Sequence, residues 1–246
     1  MRRVTRLPLD PPVQSDLDNR QRAVDQNWND AAFCASEEWK KARQAPTLRA
    51  ALDTLRQMMG ERQRCMYCLD SHATDIEHSW PKTPYPQRMF VWLNLLLCCA
   101  ECGRFKGDRF PLADGAPLLV DPTAEDPWEY LDFDPTTGNV VARFDTAANE
   151  WTAKGQATVG LLQLDRREAM AAGYRRTYRR LADLAARAAE QEATPNPEAL
   201  CTALLEADDH GLLAWCFHRS GQNESPFHEL RERHPGVWES CAAACK

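Results

Sequence analysis

The sequence predicts an α+β protein in which a small, zinc-stapled ββα module is embedded in a mostly helical shell. Three observations carry that expectation. Two Cys-x-x-Cys pairs, Cys65/Cys68 and Cys99/Cys102, lie about thirty residues apart, the paired-turn spacing of a four-thiolate zinc site. Short strand-like runs broken by Pro and Gly lie between and after them. The flanking stretches repeat their apolar residues at helical spacing instead.

Residues 1–14 carry Arg2, Arg3 and Arg6 ahead of L-P-L-D-P-P and read as an extended arm laid on the surface. Residues 15–29 read as a helix with Ser15 as N-cap before Leu17. Residues 47–60 read as a second, with Leu48, Leu52, Leu55, Met58 and Met59 on one face. Both fit a packing layer over the zinc frame. Cys65 to Cys68 fits a tight turn, 74–78 a short strand, and 79–88 a loop broken by Pro81, Pro84 and Pro86. The apolar run 90–97 leads into the second thiolate pair, and a helix is expected from near Gly103 to before Pro111.

Residues 118–121 read as a strand ended by Pro122, and 130–134 with 140–144 as a hairpin around P-T-T-G-N. Asp121, Glu125, Asp126, Glu129, Asp132 and Asp134 make this stretch acidic, either a solvated face or a dock for a basic partner. From about Thr158 the chain reads as helical to its end. Asp165 is the expected N-cap of a helix with Met170, Tyr174, Tyr178, Leu181 and Leu184 on one stripe. Its other face holds Arg166, Arg167, Arg175, Arg176, Arg179 and Arg180, either solvated, tracking phosphates or docking the acidic stretch. T-P-N-P at 194–197 separates helices, and Pro226 and Pro235 punctuate the rest.

Composition narrows the class. Apolar content of 43% in 246 residues is enough for a substantial core. The N-terminal M-R-R-V-T-R-L-P has no apolar signal core, and no run of about eighteen apolar residues exists, so a soluble cytoplasmic protein is expected. There, four of the ten cysteines hold zinc and six stay free. Cys98 adjoins Cys99, but only Cys99 gives the Cys-x-x-Cys spacing to Cys102. The net charge of −6 argues against a general nucleic-acid coat. Locally, Lys82, Arg88, Arg104, Lys106 and Arg109 outnumber Glu101 and Asp108. No Gly-rich phosphate loop exists, and the histidines other than His78 show no metal spacing.

The order of residues between the thiolate pairs matches a family. D-I-E-H-S-W-P at 75–81, the central Asn94, and C-A-E-C-G-R-F-K at 99–106 resemble the HNH (ββα-metal) endonucleases. More narrowly, D-I-E-H-x-x-P-K with F-x-W-x-N-L-L-L-x-C and K-G-D-R-F-P is similar to the HNH subunits of Septu and retron-associated anti-phage systems. The likeness is dense over 65–122. It divides the chain into an N-terminal helical arm (1–64), the HNH module with its four-cysteine zinc site (65–122), a hairpin region (123–152) and a C-terminal helical region (153–246).

The resemblance implies metal-dependent cleavage of DNA or RNA, with a partner ATPase of the ABC/SMC-like class and no membrane. It implies that His78 is the general base and that Glu77 binds the catalytic Mg²⁺ or Mn²⁺. It also implies that Asn94 holds the histidine's loop and that Lys106 contacts phosphate. The residue types suit these roles: an imidazole titrates near neutrality, a carboxylate is the hard ligand Mg²⁺ takes, and four thiolates leave zinc structural. Asp75, two residues before Glu77, shares its strand face as a second metal carboxylate or a solvated residue. Trp80 stacks on a base or anchors its loop. Gly103 departs from the family, standing where a His or Asn ligand is usual. That implies weak metal affinity, with Asp108, water or a partner completing the shell. Two rival readings follow: a zinc-ribbon adaptor that binds without cutting, and a stand-alone restriction-type nuclease.

Overall fold

Two prolines start the first helix. In the computed structural model, which describes residues 1–245, α1 runs Pro11–Asn27 with Pro11 and Pro12 in its first turn and Asp10 at the cap. Pro fits there because the first helical N–H groups have no intrahelical partner. The helix therefore begins earlier than Ser15, with L-P-L-D (7–10) as the approach and P-P as its first turn. A helix absent from the sequence expectation follows, α2 at Ala35–Ala42. It carries no long apolar stripe, and only Ala35 and Ala42 are buried. The expected second helix is α3, Pro46–Met58, with Leu48, Ala51 and Leu55 buried.

The chain divides into two compact units, residues 3–125 and residues 1–2 with 126–245. In the first, β1 (Asp75–His78) pairs antiparallel with β2 (Leu95–Cys98), Glu77 opposite Leu96 and His78 opposite Leu95. Helix α4, Ala100–Lys106, follows at once, beginning before Gly103 and ending at Gly107 in a left-handed turn. A short hairpin, β3 (Leu112–Ala113) and β4 (Ala116–Pro117), closes the stretch. Residues 118–121 run without strand pairing, unlike the expectation. The core is Leu17, Leu48, Leu55, Met66, Met89 and the unbroken apolar run Leu95–Leu97.

The N-terminal arm is not merely laid on the surface. Arg6 donates to the carbonyls of Leu95 (2.7 Å) and Trp92 and to the Thr123 hydroxyl (2.6 Å). Val4 N–H donates to Pro122 O at 2.8 Å, so the two ends of this unit are hydrogen-bonded together.

The second unit is mostly helical. Strands β5 (Leu131–Phe133) and β6 (Val140–Ala142) form the expected hairpin. Gly138 in its turn has φ +80°, and a Cβ there would meet Ala171 O at 2.3 Å. β7 (Phe144–Asp145) and β8 (Glu150–Trp151) form a second hairpin. Then come α5 (Ala153–Leu162), α6 (Glu168–Ala189), α7 (Pro197–Ala207), α8 (Leu213–His218), α9 (Phe227–Arg233) and α10 (Pro235–Ala244). Asp165 lies in the turn before α6, and Arg167 holds the cap position instead.

The acidic stretch is largely engaged within the chain. Asp126 accepts from Trp128 N–H and pairs with Arg219, Asp132 accepts from Trp215 Nε1, and Asp134 from the Thr137 hydroxyl. On α6 the aromatic stripe is core: Tyr174 is fully buried, and Tyr174, Tyr178 and Trp215 gather around Phe133 with centroids 5.3–6.1 Å from it. Arg176, Arg179 and Arg180 are exposed, and Arg180 pairs with Asp209. The chain is thus α+β, with only two-stranded sheets among the described residues. No described helix is long and apolar enough to cross a membrane.

Candidate functional site

The cysteines define the frame. Residues 65–72 form a turn in which Leu69 N–H donates to Cys65 O, Cys65 N–H donates to Ser71 O, and Leu69 takes a left-handed φ of 51°. Met66 N–H bonds Leu97 O at 2.9 Å, which ties that turn to β2. Cys99 caps α4, its sulfur accepting from Cys102 N–H at 3.4 Å. The sulfurs of Cys65, Cys68, Cys99 and Cys102 consequently lie within 4.8 Å of one another, all buried. A soft S₄ set of this size could hold a zinc ion, with no position left open.

Cys98 is a fifth thiol outside that set. Its sulfur lies 3.9 Å from Cys65 Sγ and donates to Cys99 O at 3.3 Å. The Cys65 and Cys99 sulfurs beside it, together with burial, push its thiol well up, whereas hydrogen bonds led by Cys102 hold Cys99 down as the thiolate.

β1 sets Glu77 and His78 on opposite sides of one strand. Glu77 Oε1 accepts from His78 N–H at 3.0 Å and from Lys106 Nζ at 3.0 Å. Lys106 is fully buried, and its ammonium rests on Glu77. Glu77 Oε2 faces α4 at Gly103, 3.3 Å from where a Cβ would stand. Position 103 thus points at Glu77, and glycine leaves that direction without a side chain. Asp75 is exposed in the same cleft, while Asp108 is exposed past the end of α4 and does not line it.

His78 is 2% exposed. Its Nε2 bonds Met89 O at 3.0 Å. A carbonyl only accepts, so Nε2 carries the proton and Nδ1 keeps its lone pair. Trp39 of α2 packs edge-on to the ring with centroids 4.4 Å apart. Burial, with Lys82 and Lys106 nearby, pushes the imidazole down to about 3, so it is neutral at pH 7.

Asn94 is buried and clamps the loop after His78. Its Oδ1 accepts from Trp80 N–H (2.7 Å), and its Nδ2 donates to Trp80 O and Arg88 O. Trp80 itself is half-buried, packed edge-on to Tyr85 and tilted against Phe110, with the Arg88 guanidinium 4.3 Å over its ring.

Glu77, with Asp75 and Gly103, borders a cleft of about 550 Å³, whereas His78, Asn94, Trp80 and Lys106 lie behind its walls and do not line it. One wall is β1 with the start of α4, offering Asp75, Glu77 and Gly103. The other is α2 and α3, offering Trp39, Arg43 and Arg49, with Lys82 from the proline-broken loop. The arginines and Trp39 had no signal in the sequence as site residues. They lie outside the cysteine-bounded stretch and reach it only through the packing of α3 on β2.

No family model matches the chain, and no solved structure matches it. Among curated proteins, the Septu protein PtuB of Bacillus thuringiensis is similar, 28% identical over 107 residues. The aligned stretch covers 42% of this chain and 37% of that protein, so the chain spans little more than a third of its relative's length.

Proposed function

We propose that this cleft hydrolyses phosphodiester bonds of nucleic acid, in an HNH-type ββα-metal module, as the effector of an anti-phage system with a partner ATPase. The distant similarity to a Septu protein supports the defence role. The observation that supports the chemistry is the adjacency of Glu77 and His78 on β1, with Glu77 facing the cleft and His78 behind it. The carboxylate opens to the cleft, and the neutral imidazole is fixed in one tautomer by Met89 O.

In this reading His78 Nδ1 takes a proton from the attacking water, the form a general base must have. Asn94 holds the 79–90 loop, and with it Met89, in place to orient the ring. Lys106 is a positioning residue, aiming the Glu77 carboxylate through Oε1. A divalent cation held through Glu77 Oε2, with Asp75 as a second carboxylate in the cleft, would neutralise charge on the phosphate and its leaving oxygen. One carboxylate, already neighboured by an ammonium and facing a glycine, fits a hard cation whose shell is mostly water. Weak metal affinity follows.

The test is incubation of purified protein with plasmid DNA, single strands and tRNA, with and without Mg²⁺ or Mn²⁺. Cleavage that requires the cation and is lost in His78→Asn supports the proposal; no cleavage of any substrate sinks it. A second reading, a zinc-ribbon adaptor, is favoured by the cover over His78 and by Lys106 on Glu77. Copurification with a neighbouring ATPase but no cutting would select it.

A further inference from the structure

Helices α2 and α3 do more than cover the zinc frame. Their carboxylates are matched by their own lysines and arginines: Glu38 with Lys41 (2.8 Å), Glu37 with Lys40 (3.8 Å), Asp53 with Arg56 (2.9 Å). Arg43 at the end of α2 and Arg49 on α3 are both exposed, and neither forms an ion pair among the described residues. Both line the cleft across from Glu77, and Lys82 joins them there. Three cations converge where the chain supplies only Asp75 and Glu77, and Glu77 already has Lys106. Such a wall gains from a polyanion that can enter a cleft and displace counterions.

We propose that Arg43, Arg49 and Lys82 form a phosphate-binding wall that tracks the backbone of a nucleic-acid strand past Glu77. This rests on the phosphodiesterase reading and assigns strand positioning to the N-terminal helices. Arginine suits the task, since its planar fork meets two phosphate oxygens at once. The wall contacts backbone only, so it adds affinity without sequence preference.

The experiment is fluorescence anisotropy of a labelled single-stranded oligonucleotide and a labelled duplex in magnesium-free buffer, across a salt series. Wild type is compared with R43A/R49A and with R176A/R179A, which removes the same charge from exposed positions of α6. Wild-type binding should weaken at least about tenfold in R43A/R49A, with the log–log salt slope shallower by roughly 0.7 per lost contact on a single strand. R176A/R179A should bind as wild type does. R43K/R49K should restore most of the affinity, and zinc content and melting temperature should be unchanged in every variant.

Equal binding by wild type and R43A/R49A overturns the proposal, as does loss in R176A/R179A alone or tighter capture of an acidic peptide on the same arginines. The two readings fail separately. If R43A/R49A cuts with wild-type KM, the wall falls and the nuclease stands. If binding depends on the two arginines but wild type cuts nothing, the wall stands and the nuclease falls.

Discussion

The unit of residues 3–125 and the unit containing residues 126–245 organise their interiors by different chemistry. In the first, four buried sulfurs sit beside the candidate site, and the elements that bound it are short: two four-residue strands and a seven-residue helix, with α1, α2 and α3 packed around them. In the second, rings do the work, with Tyr174, Phe133, Trp215 and Phe227 packed among six helices. Short strands bury little apolar surface, and a zinc ion held by the four sulfurs would add rigidity there. Long amphipathic helices need none. The candidate site sits in the half with less regular structure, with Glu77 and His78 on a short strand and Lys106 on a short helix.

Breaking the sulfur knot should have the largest effect. Cys68→Ser or Cys102→Ser should leave residues 3–125 unfolded or insoluble, because a zinc ion held by the four sulfurs would contribute folding free energy on the order of 10 kcal/mol. Hydrogen exchange of the two halves measures this. Well-folded protein without zinc by elemental analysis would erase the contrast. The converse break is Trp215→Ala in the ring cluster, where the side chain is 1% exposed. It should cost about 3–5 kcal/mol and lower the melting temperature while zinc stoichiometry stays at wild type. Zinc lost along with the ring would mean the halves do not fold by separate means.

His78→Asn sharpens the comparison at the site itself. Asparagine is chosen because alanine would leave a hole beside Trp39. The cleavage rate should fall by about 10²–10⁴-fold with zinc retained, and full activity would move the base elsewhere. The smallest expected effect is Gly103→Asn. A Cβ there stands 3.3 Å from Glu77 Oε2, close enough that the carboxylate must give slightly. The added oxygen should lower the Mg²⁺ concentration for half-maximal cleavage severalfold, read from rate against metal concentration. An unchanged curve means another group already serves there.

What was legible in the sequence follows the same division. Cys65, Cys68, Cys99 and Cys102 announced themselves because two tight turns must each offer two thiols at fixed spacing. The α6 stripe was legible because a helix repeats its burial every turn. The strand expected at 118–121 was not formed, since an apolar run finds burial without a ladder partner. α2 was missed because A-S-E-E-W-K-K-A buries only its two ends. Arg43 and Arg49 were invisible as site residues for a different reason: position in a cleft is a property of packing, and nothing local encodes it. Lys106 was expected to contact phosphate, and its burial against Glu77 appears only when α4 is laid beside β1.

The bond from Val4 N–H to Pro122 O bears on the order in which the chain folds. Residues 1–2 belong with the second unit, where Met1 is buried and its nitrogen meets the Tyr174 hydroxyl, 173 positions away. Closing so long a loop in a disordered chain is an entropic burden. Once residues 3–125 have folded, however, residue 4 is already beside residue 122. The loop still to be closed shrinks to about a third of its length, which lowers its closure cost by about 1 kcal/mol. A zinc ion held by the four sulfurs would therefore ease assembly of the second unit as well, and a shortage of zinc during synthesis should delay folding beyond residue 125.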